Sequence, residues 1–222
     1  MDSCYNLANL EATCDATKKV GGVTARVWIG AKNTLLNDGN NPHYFEYGNT
    51  YTLGDNVWSL LIDEIGSPIV GTELAYFEGV RFKNNGNFEV TPGENVNTFT
   101  QTLNLVLFHY SQANIKKLEQ LLITNNLVAF VQTEAGQIKC YGIDKLLNNT
   151  IRDTEGLSPI AGTGADIVEL QGEVGVQIQL QATLLNMPII IDGYYFKNEI
   201  EEYITGTENI VNLLNSMSAN NA

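Results

Sequence analysis

The sequence predicts a mainly β chain of the α+β class, an antiparallel β-sandwich or barrel with a flanking α-helix and a C-terminal helical segment. Three observations predict it. Residues 174–184 alternate strictly, with Val174, Val176, Ile178, Leu180, Ala182 and Leu184 on one face and Gly175, Gln177, Gln179, Gln181 and Thr183 on the other, the period-two signature of a half-buried strand. Between residues 23 and 83, aromatic and β-branched runs are cut at short intervals by Gly- and Asn-rich turns, the spacing of sandwiches and barrels. Residues 97–143 place a long alternating strand, an amphipathic helix and a hairpin almost without linker.

Taken in order, residues 1–20 are polar and small, with Tyr5, Leu7 and Leu10 the only clustered apolar side chains. They form either an arm that orders against a neighbour or a frayed terminus. Gly21-Gly22 punctuates. Residues 23–29 read as the first strand, with Val23, Ala25, Val27 and Ile29 on one face and Trp28 on the other, where a large ring needs cover. Residues 33–43 are a polar connection; the Asn37-Asp38-Gly39 stretch lacks the spaced carboxylates and terminal Glu of a calcium loop and reads as a turn. Further strands are expected over 44–53, 57–65 and 74–83, separated by turns that include Gly66-Ser67-Pro68 and Asn84-Asn85-Gly86.

The strand over 98–110 puts Leu103, Leu105 and Leu107 on one face and Thr98, Thr100, Thr102 and Asn104 on the other. Ser111 is a plausible N-cap for a helix whose Ile115, Leu118, Leu121 and Leu122 recur at three- and four-residue spacing, with Lys116, Lys117, Glu119 and Gln120 on its wet face, ending near Asn125-Asn126. Residues 127–133 and 138–143 then form a hairpin around Gly136, where a positive φ is expected. Residues 145–164 read as irregular. The triplet at Asn148 has no secretory context to make it a glycosylation site, and Gly162-Thr163-Gly164 is a lone G-x-G. After the alternating strand, residues 188–192 add a last strand, while 199–205 and 207–217 read as helices. The second has Thr207 as N-cap and Ile210, Val211, Leu213, Leu214 and Met217 as a stripe that must pack on something. The expected organisation is an arm over 1–20, a β-sandwich over 21–192 and a helical extension over 193–222.

Composition narrows the function. With 222 residues, 44% of them hydrophobic, one main core is expected. Twelve Lys plus Arg against 25 Asp plus Glu leave a net charge of −13, too few cations for a nucleic-acid groove. The acidity reads as a soluble surface or, more sharply, as one that repels polyanions such as passing DNA. No stretch approaches the roughly 18 apolar residues of a membrane span, and Asp2, Glu11 and Asp15 lie where a signal peptide would be apolar, so the protein is expected to be made and kept without secretion. Cys4, Cys14 and Cys140 have no C-x-x-C spacing and read as reduced thiols rather than a disulfide framework or zinc site.

No cofactor, metal or catalytic residue is expected. The two histidines, His43 and His109, belong to no G-x-S-x-G, H-E-x-x-H or Cys-His signature. His109 and Cys140 could meet only if their strands paired, and adjacent carboxylates such as Asp63-Glu64 define no acid/base pair. What stands out instead is the uncharged polar face of two strands: Gln177, Gln179 and Gln181 on one, Thr98, Thr100 and Thr102 on the other. An ordinary solvent-facing strand usually carries Lys or Glu; neutral amides and hydroxyls suit a surface that meets protein or confined water.

An early Cys followed by Gly-Gly, T-Q-T-L-N-L-V-L, a helix, L-V-A-F-V-Q-T-E-A-G-Q-I-K-C-Y-G, a G-T-G-A-D turn and a closing amide-rich strand together resemble the tail-tube-like structural proteins of tailed phages, particularly those infecting Bacteroidetes. The resemblance covers residues 98–184. It implies a β-sandwich flanked by a helix, and subunits that form rings whose inner surface comes from long strands. The long section before Thr98 and the helical C-terminus depart from the pattern and favour a ring at the neck or tail over a stacked tube. The expectation is a non-enzymatic virion protein, made in the host bacterial cytoplasm, that assembles with itself and with neighbouring virion proteins around the DNA channel without binding DNA specifically or touching a membrane. Thr98, Thr100, Thr102, Gln177, Gln179 and Gln181 are the candidate lumen lining or subunit seam. A carbohydrate-binding or adhesin sandwich on a virion is the alternative, resting on exposed-looking Trp28, Trp58 and Tyr76; a soluble hydrolase comes third.

Overall fold

The computed structural model describes residues 23–32, 58–62, 74–78, 84–108, 112–143, 156–160, 165–168, 174–196 and 204–218. Along them run β1 (Val23–Ala31), β2 (Trp58–Ile62), β3 (Ala75–Glu78), β4 (Asn85–Thr91), β5 (Thr98–Phe108), α1 (Gln112–Ile123), β6 (Leu127–Thr133), β7 (Ile138–Tyr141), β8 (Ser158–Pro159), β9 (Ala165–Val168), β10 (Val174–Leu184), β11 (Ile189–Phe196), β12 (Ile204–Thr205) and α2 (Thr207–Ser218). The arm over 1–20, the strand expected over 44–53, Ser111, both histidines and the G-x-G lie outside the described residues.

The strands form two sheets. One has seven strands in the order β12-β11-β7-β6-β1-β3, with β2 added on β11; the other has five in the order β4-β5-β10-β8, with β9 also on β10. All described pairings are antiparallel except β2 with β11. Of the sandwich and the barrel, the structure is a sandwich. Leu103, Leu105 and Leu107 of β5 and Ile178, Leu180, Ala182 and Leu184 of β10 face Val27, Ile29, Leu127, Ala129, Val131 and Tyr141 of the larger sheet in one core, which Leu118 and Leu121 of α1 close. Lys116, Glu119 and Gln120 stay exposed, as a one-sided helix requires. Buried Gln101 ties the sheets together: its Nε2 donates to the Asn186 carbonyl at 2.8 Å and its Oε1 accepts from the Gly142 N–H at 3.1 Å, so neither end of the amide is left unpaired.

The larger sheet is buried on both faces along its central strands, β1 and β6. Its other side carries a second core of Trp28, Val128, Phe130, Ile138, Cys140, Ile189 and Ile191, covered by Ile210, Val211, Leu213, Leu214 and Met217 of α2. Here lies the cover that Trp28 needs: the ring is fully buried, its Nε1 donates to Asn215 Oδ1 at 3.1 Å, and Tyr76 packs against it at 5.8 Å between ring centroids. The stripe on α2 was legible as sticky; what it sticks to is this face. Burial of each such side chain contributes roughly 2 kcal/mol.

Four expectations are corrected. Asn84-Asn85-Gly86 is no turn: Asn85 and Gly86 open β4, and buried Asn84 accepts the Val106 N–H at 2.8 Å. Asn suits a turn, but here its amide stands in for a ladder acceptor, and Gly86 is small because Tyr141 of the opposite sheet lies over it. Of the stretch 199–205 expected as a helix, only Ile204 and Thr205 lie among the described residues, and they form β12, pairing with Tyr194 and Gly193; an apolar β-branched residue beside an open strand is worth more in the ladder than in a helix. Thr207 starts α2, and its hydroxyl donates to the Gly136 carbonyl, tying the helix start to the β6–β7 turn. The boundary expected after Asp192 falls inside β11, which runs on to Phe196. The hairpin turn is as expected, with Gly136 at φ 80°.

Candidate functional site

The smaller sheet buries one face and leaves the other open. Because successive side chains in a strand point to opposite sides, the residues that alternate with the core set of β4, β5 and β10 share that outer face. Strand pairing brings the two predicted groups side by side. Gln181 stands opposite Thr102, Thr183 opposite Thr100, Gln179 opposite Asn104 and Gln177 opposite Val106.

The face is knitted by its own side chains. Gln181 Nε2 donates to Thr102 Oγ1 at 3.3 Å, the Thr100 and Thr183 hydroxyls lie 3.3 Å apart, and Asn104 Nδ2 donates to Asn85 Oδ1 at 2.8 Å. Cross-strand pairs of this kind stabilise a sheet by a few tenths to about 1 kcal/mol each. They also hold these side chains against one another rather than extended into solvent. Gln177 is exposed, Thr98, Thr100, Gln179 and Gln181 are half-buried, and Thr102 is buried.

Sequence reasoning missed the third strand of this face. β4 adds Asn85, Asn87, Glu89 and Thr91, opposite Asn104, Thr102, Thr100 and Thr98. The signal was present: N-G-N-F-E-V-T alternates as cleanly as β10, but the turn reading of its first residues hid it. Glu89 is the one charged residue that β4, β5 and β10 place on the face. Amides and hydroxyls there can exchange hydrogen bonds with water or with protein, yet offer no fixed cation to hold a phosphate.

The features behind the other readings fall elsewhere. Trp28 is buried beneath α2 and offers no platform for a sugar ring. β5, which ends at Phe108, and β7, which carries Cys140, belong to different sheets and do not pair. Cys140 faces the second core, where burial drives its thiol pKa well above the ordinary range and keeps it protonated. Burial likewise pushes the Tyr141 hydroxyl up to about 12. Among the described residues no group of His, Cys, Asp and Glu is placed to hold a metal ion, and no helix is long and apolar enough to cross a membrane.

No protein-family model, no curated protein and no solved structure matches the chain.

Proposed function

We propose that this chain is a structural virion protein of a tailed phage, without enzymatic activity, that assembles into a homo-oligomeric ring of the tail or neck around the DNA channel. The observation that carries the reading is the outer face of the five-stranded sheet: three long strands wide, self-hydrogen-bonded and almost free of charge, on a chain whose net charge is −13. A passage for DNA must not hold phosphates, and every Lys or Arg that neutralises one releases counterions and adds affinity. Bare carboxylates would repel the duplex. A surface of amides and hydroxyls does neither.

The test is the triple variant Gln177→Lys, Gln179→Lys, Gln181→Lys, made in the phage and in the isolated protein. Gln177 is exposed and Gln179 and Gln181 are half-buried at the outer surface; surface substitutions shift stability by about 0.5 kcal/mol each, and loss of the Gln181–Thr102 bond adds about 1 kcal/mol, so the monomer should fold. If the face lines the channel, rings form and DNA packaging or ejection slows; if it is the subunit seam, like charges at every contact abolish the ring. Normal rings with normal DNA passage would refute the reading.

A further inference from the structure

Among the described residues the five-stranded sheet ends at β4 in an open edge. β4 is seven residues long, pairs with β5 in continuous register from Asn85 to Thr91, and has no strand on its other side among the described residues. Edges are normally blunted by Lys, Pro, bulges or brevity, because the outward N–H and C=O groups otherwise template another strand. β4 has no Lys, Pro or bulge and is not short; its one charge is Glu89. Two of its inner-face residues lie beyond the cover of the larger sheet: Phe88 is 42% and Val90 50% exposed, with Phe99 of β5 6.1 Å from Phe88 between ring centroids.

We propose that β4 is a self-association edge, on which a second copy of this chain lays its own β4 antiparallel about a two-fold axis perpendicular to the sheet, merging two five-stranded sheets. The register follows from the residues. Such an axis carries each face into the same face of the other copy, so opposed residues share parity. Among the registers allowed, the one centred on Phe88 pairs all seven residues. Phe88 then meets Phe88 of the second copy, Gly86 meets Val90 and Asn87 meets Glu89. The exposed apolar pair is covered, and the strand's lone carboxylate faces an amide donor. A shift of one pair to a centre at Glu89 would set the carboxylates against each other.

Other edges fit less well. The far side of the same sheet is divided between β8, two residues, and β9, four residues, and β3, at one end of the larger sheet, has four. β2, on β11, has five; among the described edges only another β4 offers a match of equal length. The contact does not depend on the ring reading. If rings form as well, the two-fold contact joins them in pairs, and particles contain an even number of subunits.

Sedimentation of the full chain over a concentration series tests the proposal. Wild type should self-associate reversibly. Asn87→Glu sets two carboxylates against two others and should weaken association about tenfold. Adding Glu89→Lys to it pairs opposite charges at both places and should restore association. Both positions are exposed, so thermal melts should show all variants folded. A wild type that stays monomeric, association untouched by Asn87→Glu, or a folded double variant that is not rescued would each overturn the proposal. Where rings form, wild type should show them paired and Asn87→Glu should release single rings; single, unpaired rings in wild type would remove the β4 contact and leave the ring reading standing.

Discussion

Leu214→Ala asks whether α2 belongs to the sandwich or merely follows it. Leu214 is fully buried in the second core with Ile210, Met217, Trp28 and Phe130. Truncation removes three carbons, a transfer loss of about 2.4 kcal/mol at 0.8 kcal/mol per carbon. A cavity contribution then brings Leu→Ala changes to about 2.7–5 kcal/mol. Helix α2 covers the sheet from one side and can settle partway into the gap, so about 3 kcal/mol is expected. At about 2–4 °C per kcal/mol for a chain of this size, the melting temperature should fall by about 6–12 °C. Urea unfolding followed by circular dichroism and by tryptophan fluorescence gives the free energy, with exposed Asn212→Ala on the same helix as a control expected within about 0.5 kcal/mol of wild type. A loss below about 1 kcal/mol for Leu214→Ala, or a separate early transition of the helix, would refute the reasoning and make α2 an appendage.

Gly86→Ala should cost about 1–3 kcal/mol, because a Cβ there meets the hydroxyl end of buried Tyr141; Tyr141→Phe in the same chain should recover part of it, as chemical denaturation of the two variants would show. Tyr141 also predicts a pH dependence. Its folded pKa, raised to about 12 by burial, exceeds the unfolded value near 10, so the folded state holds the proton longer. The associated stability is present below about pH 10 and is lost as pH rises towards 12, a drop on the order of 2–3 kcal/mol. Denaturation against pH should show the drop in wild type and not in Tyr141→Phe; equal slopes would contradict it.

Much of the architecture was legible because it rests on local pattern. Strict alternation marked β10 and β5, the three- and four-residue spacing marked both helices, and Gly136 marked the turn. A period-two sequence can bury a face in only one way, so the six candidate residues were assigned to faces before any strand was paired. The limits were equally local. Asn84-Asn85-Gly86 has the composition of a turn, and nothing within it shows that Tyr141, more than fifty positions away, needs the space above Gly86.

What only the tertiary structure decided is which faces meet. Alternation says that Trp28 opposes Val27 and Ile29; it does not say that helix residues 187 positions along the chain cover it and that Asn215 takes its N–H. Nor does it say that β10 lies against β5 in the register that sets Gln181 on Thr102, with β4 completing the face. The physical reason is that local sequence sets the direction of each side chain through backbone geometry. The partner of a face is chosen by the burial of apolar area over the whole chain, a non-directional quantity that no single segment encodes.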